Sequence, residues 1–182
     1  MKIVKLIGKR IYLRTLAVND LETLARWNGD RELQEYVDSN LPLEVHQLKR
    51  WYQQNVPDRH YQIFAIVTHD GRLIGDLELD HICWNKREAE LRIRIGEKDC
   101  WDQGLGTEAI QLIFEYLLVT KKFNRIYLRV YSFNRRAIRC YLKNGFRRIG
   151  ILRRRVEGWK DIILMEIDRT LFQKGIQSKN VG

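Results

Sequence analysis

Trp101-Asp102-Gln103-Gly104-Leu105-Gly106-Thr107-Glu108-Ala109 lies between an alternating run at 88–95 and an apolar stripe of helical period. Leu105, Ala109, Leu112, Ile113, Tyr116 and Leu117 form that stripe, so the segment reads as a strand, a glycine turn and a helix start. Glycines at 104 and 106 let the backbone approach a ligand. The unpaired N–H groups of the helix's first turn, with the helix dipole, suit an anion such as a phosphate. The turn is not a phosphate-binding Walker loop, because no Gly-Lys-Ser/Thr follows. It is not a dinucleotide fingerprint either: the third glycine is missing, and the strands before it read as antiparallel hairpins.

Outward from this turn the chain alternates strands and helices. Strands are expected at 10–16, 61–68, 72–82, 88–95, 125–131, near 146–156 and at 159–168; Asp70-Gly71 makes a tight turn between the second and third. Helices are expected from Asn19, whose spacing to Glu22 is that of a capping box, from about 43 to 55, from the glycine turn onward, and at 134–144. Leu21, Leu24, Ala25 and Trp27 would face inward from the first helix. The fold class is α/β (α+β), a single domain over 1–173, with a polar, flexible tail expected at 174–182.

The 182 residues suffice for a sizeable core without disulfides. No apolar run reaches the roughly 18 residues of a membrane helix, and the start, Met1-Lys2-Ile3-Val4-Lys5, lacks the apolar core of a signal peptide. Three cysteines, Cys83, Cys100 and Cys140, are an odd number with no close pair, which speaks against a disulfide framework or zinc site and for a reducing, cytoplasmic setting. His46, His60, His69 and His81 show no metal-ligand spacing, so no metal is expected. The net charge of +10 is uneven: residues 1–60 carry +2, residues 61–120 carry −5, and residues 121–182 carry +13. A basic end beside an acidic middle suggests one anionic and one cationic ligand group. Nucleic acid is the other partner a basic segment can take, but no nucleic-acid motif accompanies Arg153-Arg154-Arg155.

A second motif follows downstream, Asn134-Arg135-Arg136-Ala137-Ile138-Arg139-Cys140-Tyr141-Leu142-Lys143-Asn144-Gly145-Phe146. Together the two stretches resemble the GNAT superfamily of acetyl-CoA-dependent N-acetyltransferases. The glycine turn is similar to that family's pyrophosphate loop, Gln/Arg-x-x-Gly-x-Gly/Ala, and the second stretch to its Asn-x-x-Ala-x-x-x-Tyr-x-x-x-Gly-Phe signature. Trp101 departs from the loop's first position and resembles the branch of ribosomal-protein N-terminal, spermidine and aminoglycoside acetyltransferases. The resemblance covers about 10–168. It implies a mixed, mostly antiparallel central sheet of about seven strands, with about four helices on both faces.

The resemblance also implies that the strand at 88–95 splays from a parallel neighbour at 125–131 and that the pantetheine arm of acetyl-CoA enters the gap. Backbone groups of Ile93, Arg94 and Ile95 would meet its amides; Leu91, Ile93 and Ile95 as a plain buried strand face is compatible with that. The pyrophosphate would sit on Gln103, Gly104, Leu105, Gly106 and Thr107. Asn134 would cap its helix or, with Ala137, border the CoA arm; Arg135 and Arg136 are candidates for the phosphates. Tyr141 is the first catalytic candidate, as proton donor to the departing thiolate, with packing under Phe146 as the alternative. Cys140, its neighbour on a helix, is expected to point elsewhere and stay inert.

Asp76, Glu78 and Asp80 alternate along one strand, and Glu88 and Glu90 along the next, so each set shares a face. Meeting at a cleft, they would attract an ammonium group and one could take its proton. Glu90 is the first candidate base and Asp80 the second; the other reading is an exposed face cross-paired with Arg92 and Arg94. Trp27, Trp51 and Trp84 either wall a pocket or fill the core. The expected function is direct acetyl transfer from acetyl-CoA to a primary amine, either a protein N-terminus or a small polycationic amine such as a polyamine or aminoglycoside. The alternatives are a non-catalytic CoA-binding or acyl-sensing module and a basic ribosome- or RNA-binding protein. The resemblance implies a homodimer as well, although no interface patch is legible.

Overall fold

The computed structural model describes residues 4–37, 41–153 and 161–173. The expected tail at 174–182 and residues 154–160, where the expected strand near 146–156 ends and that at 159–168 begins, lie outside the described residues. Eight strands form one sheet: β1 (Lys5–Ile7), β2 (Ile11–Thr15), β3 (Gln62–Thr68), β4 (Leu73–Cys83), β5 (Glu88–Ile95), β6 (Arg125–Tyr131), β7 (Arg147–Leu152) and β8 (Ile162–Asp168). Their order is β1-β2-β3-β4-β5-β6-β8-β7. The β5–β6 pair is parallel and the other six are antiparallel.

Five α-helices cover the sheet: α1 (Leu21–Asn28), α2 (Arg31–Tyr36), α3 (Val45–Asn55), α4 (Leu105–Phe114) and α5 (Arg135–Lys143). Helices α1 to α3 pack on one face through Leu21, Leu24, Trp27, Leu33 and Leu48 against Ile63, Ala65 and Val67. Helices α4 and α5 pack on the other, where Ala109, Ile110, Ile113, Phe114, Ile138 and Tyr141 meet Leu77, Leu79, Leu91, Ile126 and Leu128. Period-two alternation sends Leu77 and Leu79 of β4 and Ala89, Leu91, Ile93 and Ile95 of β5 to this second face, and the charged residues between them to the first.

The count exceeds the expected seven strands and four helices by β1 and α2. Strand β1 has three residues, too short for a pattern. Helix α2 has one buried residue, Leu33, and depends on its N-cap, the Asp30 carboxylate accepting from the N–H groups of Glu32 and Leu33 at 3.0 and 3.2 Å. The Asn19 cap also needs correction. A short 3-10 turn, Val18–Asp20, precedes α1, and Asp20 reaches back to the Ala17 N–H at 2.7 Å while Arg14 pairs with it at 2.6 Å. On α4, Ile110 and Phe114 join the buried stripe and Leu112 is half-buried. The helix then runs into a π-helical stretch, Glu115–Thr120, which adds a residue per turn and brings both Leu117 and Leu118 inward.

Candidate active site

Strands β5 and β6 pair for three residues, Glu88 to Arg125, Ala89 to Ile126 and Glu90 to Tyr127, and then part. Beyond Glu90, β5 continues to Ile95 and β6 to Tyr131 without bonding to each other. The cleft that opens there has a volume of about 270 Å³, and Glu90, at the last paired position, lies at its apex.

One wall is the N-terminus of α4. Gly104 caps it in the left-handed conformation, φ 78°, which glycine adopts without a Cβ penalty. A Cβ built at Gly106 would meet Ile95 at 3.7 Å and the Cys140 sulfur at 3.9 Å, ordinary contacts that leave the fold undisturbed. Packing within the protein therefore does not itself require glycine at 106. Arg10 braces the loop from behind, donating to the Gln103 carbonyl at 2.8 Å and pairing with Glu108 at 2.9 Å.

Gly104, Leu105, Gly106 and Thr107 line the cleft with Ile93, Arg94, Ile95, Asn134, Ala137 and Tyr141. Gln103 is not among the lining residues: its side chain turns back to the Asp99 carbonyl. Asn134 caps α5, its Oδ1 accepting from Ala137 N–H at 3.1 Å, and borders the cleft as well. Tyr141 is buried with its ring edge-on to Phe146 at 5.6 Å, and burial pushes its phenol far above the ordinary value, so the hydroxyl keeps its proton.

Cys140 does not point elsewhere. Its sulfur lies 3.3 Å from the Thr107 hydroxyl and lines the cleft beside Tyr141. Burial raises its thiol, which keeps it in the un-ionised form. Arg136 borders the cleft, and so do Arg139 and Lys143, two cations the motif comparison passed over. Their spacing of three and seven places them on one side of α5, a period the sequence carries. Arg135 is not among the lining residues.

Trp101 does more than fill a variant position. Its indole N–H donates to the Ile95 carbonyl at 2.8 Å, tying the end of β5 to the loop. Its ring holds the Arg136 guanidinium at 3.5 Å, and Tyr36 of α2 lies on the same guanidinium at 5.4 Å. Trp27, Trp51 and Trp84, by contrast, do not border the cleft. Trp27 is core and donates to Glu97, Trp51 meets Tyr61 edge-on, and Trp84 packs on Phe123.

The expected acidic face exists, but neither as an exposed surface nor as a free anionic one. Asp76, Glu78 and Glu90 are buried. Asp76 pairs with Arg94 at 2.7 Å, and Arg94 also donates to Asn28 at 2.7 Å. Arg92 lies 3.1 Å from Asp80 and 3.8 Å from Glu78; Arg125 lies 3.5 Å from Glu88. Glu90 is held by Arg129 at 2.8 Å, with Arg92 at 3.8 Å. Burial, reinforced by Asp76, pushes the Glu78 carboxyl up to about 7. Of the two candidate bases Glu90 lines the cleft and Asp80 does not. No cluster of three His, Cys, Asp or Glu side chains among the described residues could hold a metal, and no helix among them is long and apolar enough to cross a membrane.

The model of the acetyltransferase (GNAT) domain family matches residues 10–147 of the chain. A Bacillus subtilis protein named Probable N-acetyltransferase YjcK is 30% identical over 166 residues, 85% of this chain and 91% of that protein. Spermidine N(1)-acetyltransferase of Vibrio cholerae is 25% identical over 140 residues, 77% of this chain and 80% of the relative. The crystal structure of the Vibrio cholerae spermidine N-acetyltransferase, solved with CoA and spermine, superposes with a TM-score of 0.84 at 24% identity, covering 91% of this chain and 99% of that one.

Proposed function

The chain belongs to the acetyltransferase (GNAT) family, and we propose that it transfers acetyl from acetyl-CoA to a single ammonium group presented at the apex of the β5–β6 fork, with a protein or peptide N-terminus as the acceptor. Acetyl-CoA is the donor and an amine the acceptor; the proposal concerns which amine, and which residues act.

The observation that carries the acceptor reading is the pairing of the carboxylates. Among the described residues, Asp76, Glu78, Asp80, Glu88 and Glu90 each have an arginine within 4 Å, and most of these pairs are partly or fully buried. A polyamine brings several ammonium groups and would need several of these carboxylates, each released from its guanidinium. Breaking the fully buried Asp76–Arg94 pair costs about 3–5 kcal/mol, and the pairs with a half-exposed arginine less each. One ammonium needs one carboxylate, and Glu90 is the one that faces the cleft.

In this reading the pantetheine arm lies along the unpaired edge of β5 beyond Glu90, and the pyrophosphate meets the amides of the α4 N-terminus. Arg136, Arg139 and Lys143 offer charge to the CoA phosphates. The ammonium sheds two protons on becoming an amide. Glu90 takes the one that frees the nitrogen lone pair. The amine nitrogen then attacks the thioester carbonyl, a C–N bond forms, and the C–S bond breaks. The Tyr141 phenol, kept protonated by burial, gives its proton to the departing sulfur and recovers the ammonium's second proton. No acyl-enzyme is needed, in keeping with the un-ionised Cys140 thiol.

A second reading, a polyamine acceptor, is favoured by kinship with the Vibrio cholerae spermidine enzyme. Release of CoA from acetyl-CoA separates the two, measured against peptides with free N-termini and against spermidine, with mass spectrometry locating the acetyl group. Faster turnover of the peptide is the expected result. Turnover of spermidine alone would replace the N-terminus by the polyamine.

A further inference from the structure

Strand β4 breaks register with β5 near its C-terminal end. Asp80 faces Glu90 across the ladder and Cys83 faces Glu88, so His81 and Ile82 together stand opposite Ala89. The extra residue is a bulge, and His81 sits in it at φ 50°, a left-handed conformation that costs a non-glycine residue roughly 1–3 kcal/mol. In a regular strand His81 would face the leucine side with Leu77 and Leu79. The bulge instead brings its Nδ1 to 3.3 Å from Asp80 and 3.4 Å from Glu90. The Glu90 side chain is 4% exposed and borders the cleft; the His81 side chain is 62% exposed and does not. The imidazole thus lies between the buried carboxylate and solvent.

We propose that His81 is the proton exit of the active site: it takes from Glu90 the proton that Glu90 removes from the acceptor ammonium, and delivers it to solvent. This rests on the reading of Glu90 as the base. The charged and titratable groups around the pair are Asp80 on β4, Arg92 on β5, and Arg129 and Tyr127 on β6. Guanidinium groups hold their protons and accept none. Burial and the Glu90, Glu88 and Asp80 carboxylates raise the Tyr127 phenol, which therefore also keeps its proton. Imidazole is the side chain whose ordinary titration lies near neutral pH, so it can both accept and release within one turnover.

The step balances. An N–H bond of the ammonium breaks and an O–H bond forms on Glu90; that O–H breaks as Nδ1–H forms; the exposed imidazolium turns outward, and Nδ1–H breaks as water or buffer takes the proton. Asp80 stabilises the imidazolium while it lasts and holds the bulge by accepting the His81 backbone N–H at 2.7 Å.

His81→Asn tests this, because asparagine tolerates the left-handed backbone better than most residues. Its melting temperature and acetyl-CoA affinity should match the parent chain. With a free N-terminal peptide or spermidine as acceptor in dilute buffer, kcat should fall on the order of 10-fold, less than the roughly 10²–10⁴ of a direct acid–base group. Added imidazole should restore it. A His81→Asn chain at the parental rate, or a slow one that imidazole does not rescue, overturns the relay. In either case a slow Glu90→Gln would leave the base reading standing; Glu90→Gln at the parental rate overturns both. A second measurement needs no acceptor: the ¹⁵N shifts of the His81 ring across a pH series should change when Glu90 is replaced by Gln. An identical series means the two groups are uncoupled and contradicts the proposal.

Discussion

The cleft has two halves built on opposite principles. The half formed by α4 and α5 is basic and one-sided: Arg136, Arg139 and Lys143 face it, and the backbone of Gly104–Thr107 adds unpaired N–H groups. The half formed by β5 and β6 is crowded with charge yet nearly self-neutralised: Glu90 pairs with Arg129, and Arg92 and Arg94 pair with Glu78, Asp80 and Asp76 of β4 behind them. A ligand carrying several negative charges finds surplus on the first side. A ligand with positive charge finds a single carboxylate, already partnered, on the second. The difference teaches that local charge totals mislead: the acidic middle of the sequence, −5 over residues 61–120, folds into pairs with arginines from the same middle and from β6.

The largest effect expected from this contrast is on stability. Asp76→Ala leaves Arg94 buried without its carboxylate and should cost about 3–5 kcal/mol in urea unfolding. A change under 1 kcal/mol would mean that the self-neutralised half is not held by its pairs. Tyr141→Phe comes next. It should lower kcat on the order of 10²-fold while acetyl-CoA affinity and melting temperature hold, which initial rates and calorimetry would check.

The pH dependence of stability sharpens the same contrast. Glu78 titrates at about 7 in the folded chain, above the ordinary carboxylate value of 4.5. The folded state therefore binds the proton more tightly than the unfolded one. The stability this contributes is complete below pH 4.5 and is lost as pH rises through 7. Glu78→Gln should flatten that segment of the stability–pH curve and leave the chain relatively more stable above pH 7; an unchanged slope would refute it. The smallest effect belongs to the basic half. Arg136→Ala should weaken acetyl-CoA up to about fivefold at low salt and less at high salt, because a half-exposed charge contact is partly screened.

The basic half was largely legible in the sequence, since its parts are contiguous: a glycine turn that opens one helix and an Asn-to-Phe stretch that spans another. The positions of the seven longer strands, the Asp70-Gly71 hairpin and the inner face of α1 were legible for the same reason, as each depends on neighbours along the chain; the place of β8 between β6 and β7 was not. The self-neutralised half was not. Glu90 meets Arg129 across 39 positions and Arg94 meets Asn28 across 66, so only the folded sheet shows that the expected acidic face is cancelled. Alternation placed the carboxylates on one face correctly but says nothing of what covers it. The bulge at His81 was hidden too, because a histidine carries no glycine-like signal for a left-handed backbone. The place of Cys140 was not legible either, because helix period turns adjacent residues apart, and only the folded cleft shows that it borders both 140 and 141.

Hydrogen exchange tests the central claim, that acetyl-CoA occupies the gap where β5 leaves β6, most directly. With acetyl-CoA added, the β6-facing amides of residues 91–95 and the amides of residues 104–107 should exchange markedly more slowly, while those of β1 and β2 stay unchanged. Acetyl-CoA binding that protects some other surface and leaves these amides as they were, or no binding at all, would contradict the account.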